Sequence, residues 1–348
     1  MNCDLTLLSK YRTQLMGFAM IWIMLIHSYG ELETYPSSLK DFILLFISFG
    51  YGGVDMFLLL SGIGLYYSWI KKPDISFFYK QRLVRILPLY FTITFFISLY
   101  EIIYRNYELS HIVTSLFFID FFQNKINLTF AWYIPCILIF YAVTPILLKY
   151  ISPSKFKIYI PAIIIATITF SKITDVQGVY YLILSRFPIF LIGLYGGYII
   201  LNSKKISNTY TYVGLFLFTA VTIYLYLHFE VFLTKPHGFY YIFIIIAPAV
   251  SIALSYIFTY LPKYNYPILV YFGSYSLTIY LLHEKILYLL LFYLKTLSES
   301  TIIITAIIIT IIIAKPIQDT INGLVKYISS LFPRAVKLQS AENRYTNK

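Results

Sequence analysis

The segment Phe239–Leu261 reads FYYIFIIIAPAVSIALSYIFTYL, and no charged side chain interrupts it. A helix needs about 20 mostly apolar residues to cross the hydrocarbon core of a bilayer. A crossing segment must also satisfy its backbone hydrogen bonds without water, which a helix does internally. The segment therefore predicts a transmembrane helix.

Runs of the same kind fill most of the chain on either side of this segment. Short polar stretches separate them, with no long linker and no repeat of solenoid length. The predicted fold class is all-α, a polytopic membrane helical bundle with about ten transmembrane helices. The other predicted spans are Arg12–Tyr29, Phe42–Ile70, Arg85–Tyr104, Ala131–Tyr150, Lys157–Ser171, Val179–Leu201, Thr209–Phe229, Pro267–Leu294 and Thr301–Tyr327.

The composition agrees with a membrane protein. Of the 348 residues, 59% are hydrophobic and 12% are charged, whereas soluble domains carry about 25% charged residues. We predict one transmembrane domain over residues 1–332 and a polar cytoplasmic tail over residues 333–348. No small-residue cleavage site follows the first apolar run, so we expect that run to remain as a helix.

The basic residues indicate how the chain is oriented. Positive charge concentrates on the cytoplasmic side of membrane proteins. The apolar segment His111–Phe122 is too short to span, and counting it as a span would place Lys149, Lys155 and Lys157 outside. We therefore expect a re-entrant or interfacial segment there, and ten spans with both termini cytoplasmic. The high content of Ile, Lys and Tyr is typical of an AT-rich bacterial genome, so the expected location is a bacterial plasma membrane. The basic side then carries Lys10, Arg12, Lys71, Lys72, Lys80, Arg82, Arg85, Lys149, Lys155, Lys157, Lys204, Lys205, Lys263, Lys326, Arg334 and Lys337, and the other side Glu31, Glu33, Asp41, Glu101, Glu108, Glu230 and Glu299.

Several function classes are disfavoured by the sequence. The formal charge of +12 lies in short clusters between apolar runs, not in a stripe suited to nucleic acid. Two cysteines, Cys3 and Cys136, form neither a disulfide framework nor a zinc cluster, and we predict no metal site. The chain has no phosphate-binding Walker loop, no dinucleotide fingerprint and no GxSxG elbow.

His27 is the first ionisable residue inside a predicted span, and such residues are functional candidates because lipid disfavours them. It lies about 22 Å along the helix from Arg12. Glu31 follows four residues later and shares the helix face of His27 if the helix continues that far. An imidazole held by a carboxylate is a candidate general base. The alternative is a histidine at the headgroup level that makes one hydrogen bond and has no catalytic role.

Further ionisable residues lie in other spans. Asp55 follows Gly52-Gly53, which also fits a simple packing motif. Arg186 lies in Ser185-Arg186-Phe187-Pro188, and His283 and Glu284 lie about 24 Å from the inner end of their span. His27, Arg186 and His283 thus reach comparable depths in the outer half, which indicates a site shared by several helices.

Arg82 and Arg85 lie at the predicted cytoplasmic mouth of the third span. Residues at i and i+3 share a helix face, and two guanidinium groups there suit bidentate binding of phosphate. Anchoring by the positive-inside rule remains an alternative interpretation.

In order and spacing these residues resemble the acyltransferase family 3 membrane proteins, from Arg12 to about Tyr327. Members of this family O-acylate lipopolysaccharide, peptidoglycan and other surface glycans. Similar to family motifs are the first span with its His27, Gly52-Gly53-Val54-Asp55-Met56-Phe57-Leu58-Leu59-Leu60-Ser61-Gly62, Arg82-Leu83-Val84-Arg85 with Pro88, Trp132-Tyr133-Ile134-Pro135 through Phe140-Tyr141, Arg186-Phe187-Pro188-Ile189-Phe190-Leu191-Ile192-Gly193, and Gly273-Ser274-Tyr275-Ser276-Leu277 through His283.

The resemblance implies an O-acyltransferase with acyl-CoA, by default acetyl-CoA, as co-substrate and no permanently bound cofactor. Arg82 and Arg85 would hold the CoA phosphates. The family often has an arginine where this chain has Met16, and Arg12, one turn earlier, would replace it. Members acting on lipopolysaccharide or peptidoglycan often carry an added extracytoplasmic domain, so a second transfer step here is expected either to need a partner or not to occur.

The mechanism implied is direct transfer, or transfer through an acyl-histidine, to a hydroxyl of a surface polysaccharide or other glycan outside the cytoplasm. His27, oriented by Glu31 or Asp55, would deprotonate that hydroxyl, and Arg186 would stabilise the oxyanion. We assign Trp132, His283 and Glu284 to substrate binding. The rival is an exporter of polysaccharide or lipid-linked sugar with charges along its path. A purely structural subunit explains neither the buried charges nor the basic pair.

Overall fold

The computed structural model describes residues 4–29, 46–123, 131–174, 178–202, 208–227, 240–261 and 266–331. Within these ranges every regular element is helical, as predicted. We number the α-helices α1 Thr6–Lys10, α2 Arg12–Tyr29, α3 Gly52–Lys71, α4 Ile75–Arg105, α5 Ser110–Leu116, α6 Ile119–Phe122, α7 Tyr133–Tyr150, α8 Phe156–Ile173, α9 Gly178–Leu201, α10 Asn208–Leu227, α11 Phe243–Tyr260, α12 Pro267–Ser274, α13 Ser276–Tyr293 and α14 Glu299–Leu331.

Eight helical segments in the described ranges are long and apolar enough to cross a membrane. These are Phe46–Lys71, Ile75–Arg105, Tyr133–Tyr150, Pro153–Ile173, Gly178–Leu201, Tyr240–Tyr260, Ser276–Tyr293 and Glu299–Leu331. The first and seventh predicted spans are also helical, as α2 and α10, but are not among the eight. In α2 the side chains of Arg12, Gln14 and His27 reduce its apolar character. The chain is a polytopic helical bundle, and the count of ten crossings stays a prediction.

Helix α4 begins ten residues before the predicted boundary at Arg85 because a cap lies upstream. The side chain of Asp74 accepts a hydrogen bond from the backbone N–H of Phe77, which satisfies a donor left open at the helix start. The helix ends at Asn106, which has the left-handed conformation (φ 56°) common after helices. Arg82 and Arg85 therefore lie well inside a continuous helix.

The short apolar segment does not form a span of its own. It splits into α5 and α6 at Phe118, which has a positive φ of 61°. The segment folds back along α4, because His111 contacts Glu101 and Phe118 stacks on Tyr90 at 4.8 Å between ring centroids. This path along α4 has the form of a re-entrant element.

The ninth predicted span, Pro267–Leu294, is interrupted in the structure. Helix α12 ends at Ser274, and α13 starts at Ser276 after a turn at Tyr275. The hydroxyl of Ser276 donates to the carbonyl of Gly273, 3.0 Å away, across this turn. The break places the start of α13 next to the start of α2.

The relative directions of the central helices follow from their close approaches. Gly50 lies against Ile26 and Gly64 lies nearest Arg12, so α3 runs antiparallel to α2. Gly62 and Gly193 are in backbone contact, and farther along the same two helices Tyr66 and Tyr198 have ring centroids 6.1 Å apart, so α3 and α9 run parallel. Small residues permit such close packing of membrane helices.

A glycine substitution tests another close approach, between α2 and α12. A Cβ added at Gly17 would lie 1.9 Å from the carbonyl oxygen of Leu269 in α12. We expect Gly17→Ala to cost about 1–3 kcal/mol, as overpacking typically does, and to lower the thermal midpoint of the detergent-solubilised protein. Gly323→Ala in α14 is the control because nothing lies within 4 Å of its added Cβ. Equal midpoints for the two variants would contradict the packing.

Candidate active site

Two histidines from different helices meet inside the bundle. The ring centroids of His27 on α2 and His283 on α13 are 5.2 Å apart, with an interplanar angle of 67°. His27 is half-buried, and His283 is 5% exposed. The sequence predicts similar depths for these two residues, and the structure brings their rings into contact. We call them the histidine pair.

The surroundings of His283 fix where its hydrogen lies. Its Nδ1 is 2.9 Å from the carbonyl oxygen of Tyr280 and 3.1 Å from that of Ile279. Both are acceptors, so in the neutral ring Nδ1 carries the hydrogen and Nε2 keeps its lone pair. That Nε2 atom is buried and has no hydrogen-bond partner among the described residues. A buried acceptor left open in this way is suited to a substrate hydroxyl.

Asp55 and Arg186 form a second charged group beside the bundle centre. Each lies seven residues before the glycine contact of Gly62 with Gly193, so the two parallel helices hold them level. The charges of the two side chains interact. Neither carboxylate oxygen of Asp55 accepts a hydrogen bond from another described residue, His27 included.

Arg186 lies between two aromatic rings and is 1% exposed. The carbon of its guanidinium is 4.0 Å from the ring centroid of Tyr240 and 5.0 Å from that of Trp132. Cation–π contacts of this kind are strongest where water is excluded. The Nη1 atom donates to the hydroxyl of Ser185 at 3.1 Å. Trp132, assigned to substrate binding from the sequence, thus contacts the arginine assigned to the oxyanion.

Three arginines line one cavity at the level where α2 begins. This arginine cavity has a volume of about 70 Å³, and Arg12, Arg82 and Arg85 all lie on its wall. The positive charges of Arg82 and Arg85 act on Arg12. No acidic side chain is among the described residues that line it. Because like charges repel, such a cavity favours a polyanion.

Aromatic side chains connect the arginine cavity to the histidine pair. Tyr133 and Tyr280 line the cavity, and their ring centroids are 5.6 Å apart. The ring of Tyr280 is in turn 5.9 Å from that of His283, one helical turn farther along α13. The carboxylate of Glu284 interacts with the Tyr280 hydroxyl. The two sites are therefore neighbours along one helix.

The family follows from comparison with known proteins. The model of an acyltransferase domain, that of acyltransferase family 3, matches residues 14–317. This chain belongs to that family. The matched region holds the histidine pair, Asp55, Arg186 and two of the three cavity arginines; Arg12 precedes it. Comparison of the acyltransferase with curated proteins gave no match, and comparison with solved structures gave none either.

One group of partly buried charged side chains in the acyltransferase was not found from the sequence. One carboxylate oxygen of Glu101 on α4 accepts a hydrogen bond from Lys285 on α13 at 2.7 Å. The other oxygen lies 2.8 Å from Nε2 of His111 on α5. Asp120 lies 3.7 Å from the second nitrogen of His111. The sequence signal for this group is Lys285, which directly follows two other ionisable residues inside a predicted span. The group ties α4 and α5 to the helix that carries His283.

The proposed partner Glu31 lies outside the described residues, so its position relative to His27 stays a prediction. The side chains of Arg12 and Met16 line the same cavity. Arg12 therefore occupies the surroundings in which the family arginine would lie. Among the described residues, no group of three His, Cys, Asp or Glu side chains has the spacing of a metal site.

Proposed function

We propose that this membrane acyltransferase moves an acyl group, by default acetyl, from acyl-CoA to a hydroxyl of a surface glycan. The observation that carries the proposal is the arginine cavity, in which three guanidinium groups and no described carboxylate face one space. Arginine binds phosphate with two parallel hydrogen bonds. The several phosphates of CoA provide a polyanion that fits these groups.

The thioester arm of the bound acyl-CoA then points along Tyr133 and Tyr280 toward the histidine pair. At about 1.5 Å per residue, Arg12 and His27 are separated by about 22 Å along α2. An extended arm is needed to cover this distance, because the phosphates stay at one end while the acyl carbon reacts at the other. The aromatic rings along the path exclude water from the thioester.

In the proposed reaction, His27 removes the proton of the acceptor hydroxyl, and the oxygen attacks the thioester carbonyl. A C–O bond forms, the C–S bond breaks, and the CoA thiolate leaves and takes the proton back from the imidazolium. The open Nε2 of His283 accepts a hydrogen bond from the acceptor. Arg186, with Asp55 and Trp132 beside it, stabilises the oxyanion.

In this proposal the protein lies in a bacterial plasma membrane, and the positive-inside rule gives its orientation. Lys71, Lys72 and Lys80 lie at the same end of the bundle as the arginine cavity, and such clusters favour the cytoplasmic side. The donor then enters from the cytoplasm, where acyl-CoA is made. The acceptor reaches the histidine pair from the opposite side.

The experiment supplies acetyl-CoA labelled on the acetyl group, and purified surface glycan, to the reconstituted protein. The proposal predicts release of free CoA together with label on the glycan. If glycan crosses the membrane without release of CoA, the protein is an exporter, and the cavity arginines are only topology anchors. Hydrolysis of acetyl-CoA that is not stimulated by glycan would also overturn the proposal.

A further inference from the structure

A long apolar groove runs along the outside of the bundle between α4, α13 and α14. Its volume is about 700 Å³, within the range of about 300–1,000 Å³ found for ligand cavities. It extends from Thr92 to Arg105 on α4, which is about 20 Å at the rise of a helix. Its walls are mainly aliphatic and aromatic, with Ile97, Leu289 and Ile317 among them.

The groove opens sideways between spanning helices. Phe96 and Phe292 on its rim are 63% and 42% exposed, and all three helices are long and apolar enough to span. Its opening therefore faces lipid tails. A groove of this length and character accommodates a hydrocarbon chain lying along the helices.

The charged side chains that line the groove are Arg105 at the end of α4, Glu101 one turn before it, and Lys285 on α13. The guanidinium of Arg105 lies over the ring of Phe292, 4.2 Å from its centroid, and none of the ion pairs between described residues includes it. Lys285 lies nearby on the wall, paired with Glu101. An apolar channel ending at an arginine is complementary to a hydrocarbon chain that carries a phosphate.

The stretch of α13 that lines the groove also carries one member of the histidine pair. Leu282 and Lys285 on α13 line the groove, while His283 between them faces His27. Phe292, which Arg105 contacts, lies nine residues, or about 14 Å, beyond His283 on α13. A phosphate held at Arg105 therefore leaves this distance for the glycan to span back to the histidine pair.

We propose that this groove binds the hydrocarbon chain of a lipid-linked acceptor, with the linking phosphate at Arg105 and the glycan reaching the histidine pair. This inference rests on the proposed function, since it assigns that reaction an acceptor class. A glycan carried on a membrane lipid arrives by diffusion within the bilayer. The groove gives it a sideways path to the site.

The test measures binding of a radiolabelled polyprenyl phosphate to the purified protein in detergent, with the polyprenyl alcohol of the same length as comparison. We expect the phosphate to bind at least about tenfold tighter, a difference of about 1.4 kcal/mol. Arg105→Gln should remove this preference and leave binding of the alcohol unchanged. Equal binding of phosphate and alcohol to the wild type would overturn the assignment of the phosphate site.

A matched pair of substitutions on α14 tests the groove itself. Ile317→Trp places an indole in the groove and should weaken binding of the polyprenyl phosphate about tenfold or more. Ile312 is 65% exposed and does not line the groove, so Ile312→Trp should bind as the wild type does. Unchanged binding in Ile317→Trp would exclude the groove. Displacement by phosphatidylglycerol as effective as by unlabelled polyprenyl phosphate would show an ordinary membrane-lipid site instead.

The binding assay contains no acetyl-CoA, so it is independent of turnover. Release of CoA with delipidated glycan, but no selective binding of polyprenyl phosphate, would refute the lipid-linked acceptor alone. Selective binding without any release of CoA would refute the acyl transfer and leave the lipid site in place.

Discussion

His27→Ala is expected to lower the rate of acyl transfer by about 10²- to 10⁴-fold, the usual contribution of a positioned general base. The imidazole is half-buried and contacts the ring of His283 at 5.2 Å between centroids, so it is placed at the junction of two helices where a hydroxyl can reach it. Its loss removes the proton acceptor and leaves the arginine cavity intact. The measurement is steady-state release of CoA in the presence of glycan.

Two controls separate chemistry from folding. Ser28→Ala changes the neighbouring half-buried side chain and should keep wild-type turnover. Binding of CoA to the His27→Ala protein should be unchanged, because the phosphates bind at the other end of α2. If the variant keeps more than about one tenth of the wild-type rate, His27 is not the base. If it loses CoA binding as well, the two sites are not separate.

Arg82→Gln and Arg85→Gln are each expected to raise the KM for acetyl-CoA by about 10- to 100-fold. A hydrogen bond to a charged group is worth about 1.5–3 kcal/mol, and these arginines line a cavity without a described acidic residue. The effect on kcat should be small, since the thioester reacts at the histidine pair. Initial rates against acetyl-CoA concentration give both constants.

Lys80→Gln is the matched control, because it removes an exposed positive charge from the same helix outside the cavity. It should leave the KM unchanged. A second comparison uses CoA donors that lack the 3′-phosphate. With these donors, substitution of the arginine that contacts this phosphate should raise the KM little further. If Lys80→Gln raises the KM as much as the arginine variants, general surface charge attracts the donor and the cavity does not bind it.

The sequence predicted the helices well wherever an apolar run ended at clear polar residues. Helix α2 has the predicted bounds Arg12–Tyr29. The sequence also predicted comparable depths for His27, Arg186 and His283, and the rings of the two histidines are in contact. The rise counted for His283 assumed one continuous helix from Pro267, however, and that helix is interrupted. The break at Tyr275 was missed, because a single turn inside an apolar run leaves the composition unchanged.

Contacts between helices could not be predicted from the sequence. Hydropathy indicates where a helix begins and ends, but not how it is rotated or which helices it packs against. Asp55 and Arg186 are level because of the glycine contact between α3 and α9, and the sequence named both without pairing them. Glu101 was assigned only to a side of the membrane, yet both its oxygens are engaged by Lys285 and His111. The convergence of three arginines on one cavity likewise needed the folded chain.

Sealed proteoliposomes test most directly whether acyl groups pass from the arginine cavity to the histidine pair across the bilayer. Labelled acetyl-CoA is enclosed on the side where the cavity opens, and glycan is supplied only on the other side. We predict label on the glycan while all CoA stays enclosed, and no label with His27→Ala. Labelling that occurs only when acetyl-CoA and glycan share one side would contradict transfer through the bundle.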